Sequence, residues 1–335
     1  MDGNSAKRVT MTDVGRMAGV SQVTVSRALS DPSKVSPATV RRIQEAIAAT
    51  GFVPNGIAGA LASNKSRLVT ALIPSITNIV YSSFIRTFGE RLRESGYQLL
   101  LSETGFDAAE EAAIIAAHLS RRPDAMLLTG IHHSAQARHQ LLGAGIPVVE
   151  VWDITDTPID LCVGFSHAEA GRQVADFVLE AGHTCAATVT ASDERAHRRR
   201  AAFAKRFEAG TGAPVIEAGV DGPARIGAGR AALANLLDHQ GFAQGAIFCS
   251  SDQLAQGVII EAQARGLRVP QDVAVVGFGD QEFAPDLVPP LTTVRVDRDR
   301  LGQAAADAIL ARLNGAAPPE TVTDLGFEII RRASC

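Results

Sequence analysis

The residues best suited to chemistry in this sequence are polar side chains on a short stretch near the N-terminus. Gln22, Thr24 and Ser26 offer hydrogen-bond donors and acceptors, Val23 offers methyl groups, and Arg27 offers a cation. Such groups recognise base edges, thymine methyl groups and phosphates in DNA. The set indicates nucleic-acid binding; the alternative interpretation is the polar surface of a small helical bundle.

A run of arginines at residues 195–200 is the second candidate. A guanidinium group can donate two parallel hydrogen bonds to two oxygens of a carboxylate or a phosphate, so the run is compatible with binding an acidic small molecule. The alternative interpretation is an exposed helix face. Arg298 adds a cation at the beginning of the last predicted helix, and it is equally well explained as a surface charge.

No residues form a pattern typical of catalysis, a cofactor or a metal. The sequence contains no GxSxG, HExxH or phosphate-binding GK[ST] motif. Residues 227–232 match GxGxxA, but a loop precedes them where a dinucleotide site needs a strand. His132 and His133 are adjacent and face different sides, and the four cysteines are far apart. We therefore expect no enzyme, no cofactor and no metal ion.

Three short helices must position the polar side chains of residues 22–27. Thr10, Ser21 and Ser36 are each placed to cap a helix N-terminus, and Gly19 and Gly51 to end one. The segment from residue 54 to residue 65 contains two glycines and few bulky side chains, so its helix is marginal. We expect a compact helical head followed by a linker that is helical only under some conditions.

The remaining chain alternates apolar runs with amphipathic helices in two similar series. This pattern predicts an α/β fold of two lobes with parallel sheets, and a ligand cleft outside the carboxyl ends of the strands. The predicted domains are a head at 1–52, a hinge at 53–66 and a sensor at 67–335. Within the sensor, one lobe takes about 67–161 plus 293–320, and the other about 162–290 plus 322–335.

Charge divides the chain at the same place. The whole sequence has a net charge of −4, but residues 1–67 carry nine lysines and arginines against four acids, or +5, which leaves −9 for the rest. A basic head on an acidic body suggests that the head alone meets a polyanion. No long uncharged apolar stretch and no signal peptide is evident, so we expect a cytoplasmic protein.

Residues 13–29, DVGRMAGVSQVTVSRAL, resemble the helix-turn-helix of the LacI/GalR family of regulators almost residue for residue. The likeness continues through blocks at 251–257, 275–280 and 289–294, in lobes that resemble periplasmic sugar-binding proteins. It implies a head on operator DNA and a sensor for a small metabolite, with no catalytic residues. The implied partners are a palindromic operator, an effector and a second copy of the chain, with a tetramer also open.

The resemblance also implies roles for individual residues. The implied DNA contacts in the head are Thr12, Ser21, Gln22, Val23, Thr24, Ser26 and Arg27. In the hinge, the implied contacts are Asn55, Ala58 and Leu61, with the leucine entering the minor groove; a flexible tether is the alternative. The implied effector contacts are Ser75, Tyr81, Phe84, Glu150, Arg199, Asp252 and Asp280.

Blocks at 74–78, 149–153, 163–165 and 324–327 look most like the gluconate-repressor branch. The family often has an aspartate where this chain has Gly279, and the carboxylate follows at Asp280. Losing a carboxylate beside the ligand favours an anion, so a sugar acid such as gluconate, a ketogluconate or a phosphorylated relative is expected. A regulator of a neutral sugar, a sugar-binding module without DNA regulation, and a sugar-acid enzyme are the alternatives.

Overall fold

The computed structural model describes residues 9–54, 65–105, 108–316 and 320–335. Contacts between residues divide the chain into two compact units, Met1–Arg67 with Arg121–Pro123 and Leu68–Ser120 with Asp124–Cys335. Among the described residues, no helix combines the length and the apolar character needed to cross a bilayer.

The first unit is built from three helices with well-formed ends. They are α1 (Met11–Ala18), α2 (Gln22–Ser30) and α3 (Pro37–Thr50). Thr10, Ser21 and Ser36 each accept a hydrogen bond from a backbone N–H of the first turn, and Gly19 and Gly51 follow α1 and α3 in the left-handed conformation. The predicted caps are therefore confirmed. Val14, Val25 and Ile43 meet in the core of this unit.

The second unit contains two six-stranded sheets of the same design. The first sheet comprises β1 (Leu68–Ile73), β2 (Gln98–Glu103), β3 (Ala125–Thr129), β4 (Val148–Val151), β5 (Leu161–Gly164) and β11 (Val322–Asp324). The second comprises β6 (Ala186–Ala191), β7 (Ile216–Val220), β8 (Gly245–Cys249), β9 (Val273–Phe278), β10 (Thr292–Arg295) and β12 (Glu328–Ile330). The strand orders are β11-β5-β4-β3-β1-β2 and β12-β10-β9-β8-β6-β7, and among the strands of the described residues only β10 and β12 pair antiparallel. The two predicted α/β lobes are confirmed.

Helices connect the strands within each lobe. They are α4 (Ile79–Glu94), α5 (Ala108–Leu119), α6 (Ala135–Ala144), α7 (His167–Glu180), α8 (Glu194–Thr211), α9 (Ile226–His239), α10 (Asp252–Ala264) and α11 (Arg298–Leu313). Strands β1, β3, β4 and β5 are almost entirely buried, because helices cover both faces of the sheet. Two close helix contacts depend on glycine: Gly229 and Gly257 bring α9 against α10, so Gly229, the second glycine of the GxGxxA pattern, serves helix packing.

The chain crosses between lobes at three points, and these differ from the predicted boundaries. Strand β5 pairs with β4 and therefore belongs to the first lobe, although residues from 162 onward were assigned to the second. Strand β10 pairs with β9 in the second lobe, although residues from 293 were assigned to the first. Strand β11 pairs with β5 in the first lobe, not the second. The crossings thus lie at 165–166, 296–297 and 325–327.

Candidate functional site

Helix α2 presents a polar surface on the first unit. Val25 and Ala28 face the core, which leaves Gln22, Ser26 and Arg27 exposed. Val23 is 65% exposed, so its methyl groups are accessible to a partner. The predicted base-reading residues therefore share one accessible face.

Three other residues of the predicted set hold the start of this helix. Thr12 Oγ1 donates a hydrogen bond to Gln22 Oε1 over 3.1 Å, which links α1 to the first residue of α2. The Ser21 and Thr24 hydroxyl oxygens lie 3.0 Å apart, and Ser21 Oγ also accepts from the Thr24 N–H. Thr12, Ser21 and Thr24 therefore orient the N-terminal end of α2. Asn55, Ala58 and Leu61 lie outside the described residues.

The second unit contains a cavity of about 750 Å³ between its lobes, a size suited to a small metabolite. Its wall lies at the carboxyl ends of strands from both sheets, as predicted. From the first lobe it includes Pro74, Glu103 and Trp152, and from the second Ser192, Ser250 and Gly279.

Arg199 is the central cation of this cavity. It is buried, and its guanidinium lies 3.9 Å above the ring of Phe278. Nη2 donates to the Ser250 carbonyl over 3.1 Å, and Nη1 lies 2.8 Å from His167 Nδ1. Its Nε has no hydrogen-bond partner among the described residues. Burial lowers the pKa of Arg199 to about 10, so it remains charged at neutral pH.

The structure separates the neighbouring arginines by their partners. Arg198 pairs with Asp153 of the first lobe, and Arg200 pairs with Glu217 on β7. Arg195 donates to the Tyr81 hydroxyl over 2.6 Å, which joins α8 to α4 of the first lobe. Arg199 and Arg195 line the cavity, whereas Arg198 and Arg200 do not.

Positive charge exceeds negative charge in the cavity wall. Its charged residues are Arg195, Arg199, Arg225, Arg298, Glu103 and Asp193. In the part of the chain that the structure describes, no ion pair joins any of these four arginines to a carboxylate. Asp193 is occupied as the N-cap of α8, and Glu103 accepts from the Ile76 N–H. Arg298 Nη1 is buried without a hydrogen-bond partner in the same described part.

Gly279 keeps a carboxylate out of this wall. Its φ of 126° is one that residues with a side chain rarely adopt. The next carboxylate, on Asp280, is held by Arg295 and Arg332 at 2.6 and 2.7 Å. Asp280 therefore points its charge at these two arginines, and it does not line the cavity.

Of the predicted effector contacts, Ser75, Tyr81 and Arg199 line the cavity, and Phe84, Glu150, Asp252 and Asp280 do not. Phe84 is one turn beyond Tyr81 on α4 and packs behind Trp152, with ring centroids 5.7 Å apart. Its side chain is fully buried in the core. Phe84 therefore supports the wall from behind instead of contacting a ligand.

Glu150 and Asp252 are buried carboxylates with partners of their own. Glu150 accepts from the Ile159 N–H over 2.6 Å and lies 3.4 Å from His133, whose other ring nitrogen contacts Glu111. Asp252 accepts from the Thr293 hydroxyl over 2.5 Å and from the Gln281 N–H over 2.6 Å. Both carboxylates organise backbone around the cleft and do not face it.

His132 and His133 diverge as predicted. His133 is buried between Glu111 and Glu150, whereas His132 is exposed and lies 3.4 Å from Glu194.

The cavity wall includes residues that the sequence did not single out, among them Trp152 and His167, and it includes Arg195, which was noticed only as part of the arginine run. Trp152 has a left-handed φ of 70°, His167 is buried, and Arg195 bridges the lobes. A single histidine or tryptophan beside a strand carries no pattern of its own. The arginine run was noticed and the family resemblance selected Arg199, but only the fold shows the role of Arg195.

Comparison with known proteins identifies both parts. Residues 10–55 match the model of bacterial regulatory proteins of the lacI family, and residues 175–335 match a periplasmic binding protein-like domain. The HTH-type transcriptional regulator GntR of Pseudomonas aeruginosa is 33% identical over 98% of this chain and 96% of its own length.

Two solved structures share the fold along nearly the whole chain. A LacI family transcriptional regulator from Silicibacter pomeroyi has a TM-score of 0.91 at 32% identity, covering 97% of this chain and 99% of its own. The Lac repressor dimer bound to operator has a TM-score of 0.85 at 25% identity, covering 98% and 99%. The chain therefore belongs to the LacI family and is a DNA-binding transcriptional regulator, not an enzyme.

Proposed function

We propose that this regulator is a homodimeric repressor of sugar-acid catabolism in the cytoplasm. Its effector is gluconate, a ketogluconate or a phosphorylated relative, and effector binding releases the operator. The observation that carries the proposal is the charge of the cavity wall: its four arginines outnumber its two carboxylates, and none of the four forms an ion pair with a carboxylate among the described residues.

Such a wall suits an anion with several hydroxyl groups. Arg199 uses two of the five N–H donors of a guanidinium on His167 and Ser250. Its Nε–H has no hydrogen-bond partner among the described residues and could donate to a carboxylate or a phosphate, which forms charge-assisted hydrogen bonds. Gly279 contributes no opposing negative charge. The GntR regulators among the relatives agree with this assignment.

The exposed face of α2 is proposed to read the operator. Gln22 and Val23 contact bases in the major groove, while Thr12, Ser21, Thr24, Ser26 and Arg27 contribute base-edge and phosphate contacts. A dimer places two such helices on a palindromic operator, and the structure of the Lac repressor dimer on its operator supports this arrangement.

Residues 53–66 are proposed to couple the two functions. Asn55, Ala58 and Leu61 enter or approach the minor groove, and Leu61 wedges a base step apart. The effector favours a sensor conformation that is incompatible with this contact, and operator and effector thereby weaken each other's binding. Leu61→Ser should abolish specific operator binding and leave effector binding intact.

The test combines calorimetry with operator release. Gluconate, 2-ketogluconate and 6-phosphogluconate are each titrated into the protein. Glucitol, which has the hydroxyl groups of gluconate but no acid, is the uncharged control. An operator obtained by in vitro selection is then followed by fluorescence anisotropy. We expect the acids to bind, glucitol not to bind, and the bound acid to weaken operator binding. Binding of acids without any effect on DNA would refute the proposal.

A regulator of a neutral sugar is the remaining alternative. It predicts binding of an uncharged sugar and no preference for the acids over it. The same calorimetric panel, extended with glucose and ribose, distinguishes the two.

A further inference from the structure

We propose that His167 is a positioning residue, which holds the Arg199 guanidinium toward the cavity and ties it to the backbone of the first lobe at Trp152. The inference rests on the proposed function in one respect, namely that Arg199 contacts an acid group of the effector. The role of His167 itself follows from its contacts.

His167 occupies the first crossing between the lobes. Strand β5 of the first lobe ends at Gly164, and His167 is the first residue of α7 in the second lobe. Its side chain is buried, and each ring nitrogen has one partner from a different lobe. Nε2 lies 2.8 Å from the Trp152 carbonyl oxygen, and Nδ1 lies 2.8 Å from Arg199 Nη1.

These partners determine the protonation of the ring. A carbonyl oxygen only accepts hydrogen bonds, so Nε2 must carry the hydrogen; a guanidinium only donates, so Nδ1 must be the unprotonated acceptor. The ring is thus neutral and in a single tautomer. Burial and the nearby charges of Arg199 and Arg195 keep the pKa of His167 well below its usual range.

Aromatic side chains fix the plane of the ring. Phe165 packs edge-on against His167 with centroids 4.5 Å apart, and Phe278 lies 6.1 Å away while also stacking on the Arg199 guanidinium. In such an apolar setting, a hydrogen bond to a charged group is strong and an unpaired one is costly. Without His167, Arg199 would lose one of the two hydrogen bonds that orient it.

The contact therefore links effector chemistry to the relative position of the lobes. Trp152 follows β4 in the first lobe and lines the cavity, whereas Arg199 belongs to α8 in the second. An acid that binds Arg199 is bound by a group whose orientation depends on Trp152. Lobe arrangement and acid affinity are thus coupled through one imidazole ring.

A double-mutant cycle tests the inference with gluconate as the probe. The variants are His167→Leu, Arg199→Gln and the double substitution, measured by calorimetry. His167→Leu should weaken gluconate binding about tenfold, the loss expected for one hydrogen bond to a charged group. The double variant should bind no more weakly than Arg199→Gln alone. Fully additive losses would overturn the proposal.

Two variants control for folding. His167→Gln keeps a donor and an acceptor and should recover part of the affinity lost in His167→Leu. His197→Leu, an exposed histidine on α8, should bind gluconate as the wild type does. If the wild type and His167→Leu bind gluconate equally well, His167 has no positioning role.

A ligand-free measurement separates this inference from the proposed function. In ¹⁵N-histidine NMR at neutral pH, the resonances lost in His167→Gln identify His167. They should show a neutral ring protonated at Nε2, with an Nδ1 shift that changes in Arg199→Gln. A ring protonated at Nδ1 refutes the inference whatever the effector is. Failure of the wild type to bind gluconate, with the expected NMR result, refutes only the sugar-acid assignment.

Discussion

Gly171→Ala should lower both the stability of the sensor and its affinity for the proposed acid effector. Gly171 lies on α7 where it meets α8, and a Cβ atom added there would be 2.1 Å from the Arg199 carbonyl oxygen. Because carbon and oxygen atoms in contact stay about 3.3 Å apart, the backbone of Arg199 must move by about 1 Å.

The size of both effects follows from that displacement. Overpacking at a helix contact costs about 1–3 kcal/mol of unfolding free energy. The hydrogen bond of 2.8 Å between Arg199 and His167 would lengthen beyond the range of a hydrogen bond. Loss of that alignment should weaken gluconate binding by about tenfold or more.

The assay is urea unfolding followed by the fluorescence of Trp152, the single tryptophan of the chain, which reports on the second unit. Calorimetry with gluconate measures the second effect. Gly143→Ala is the matched control, because it lies in α6 and an added Cβ meets nothing within 4 Å. That variant should gain about 0.5–1 kcal/mol. A Gly171→Ala protein with wild-type stability and affinity would refute the reasoning.

Three further predictions concern single side chains. Val23→Ala removes two methylene equivalents at about 0.8 kcal/mol each when buried, so it should reduce discrimination for thymine at one operator position by about tenfold without affecting stability; unchanged base preference in a selection experiment would contradict it. Burial alone would lower the pKa of His133, but Glu111 and Glu150 raise it to about 9. Wild-type unfolding free energy should therefore fall by roughly 3 kcal/mol relative to His133→Gln as pH rises from about 6.5 to 9, and parallel pH curves would argue against this. Burial raises the pKa of Asp252 to about 6. As pH rises from about 4 to 6, the unfolding free energy of the wild type should therefore fall by roughly 2–3 kcal/mol relative to Asp252→Asn. A rise instead would show that the hydrogen-bond donors around Asp252 stabilise its carboxylate.

The features predicted best from the sequence are those that depend on residues close together in the chain. Thr10, Ser21 and Ser36 cap their helices because the hydrogen bonds involved span only three residues. The alternation of strands and helices is likewise visible in short windows. The exposed face of α2 could be named because the apolar positions Val25 and Ala28 mark the opposite side.

Contacts between distant segments were harder to predict. Strand β11 is short and joins β5, far away in sequence, so nothing local assigns it to a lobe. Glu150 was expected beside a ligand, but the alternation of side chains along β4 turns it toward His133. Arg199 was distinguished from Arg198 and Arg200 only by a family resemblance, and the structure gives the reason: carboxylates elsewhere in the fold neutralise its two neighbours.

Gly279 also constrains how effector preference can evolve. A carboxylate at this position would favour neutral sugars, but the backbone there holds a φ of 126° that an aspartate rarely adopts. A single replacement would therefore incur strain of about 1–3 kcal/mol before any new ligand contact compensated for it. If the effector is an acid, as proposed, a change to an uncharged ligand would therefore need further substitutions that relieve this strain.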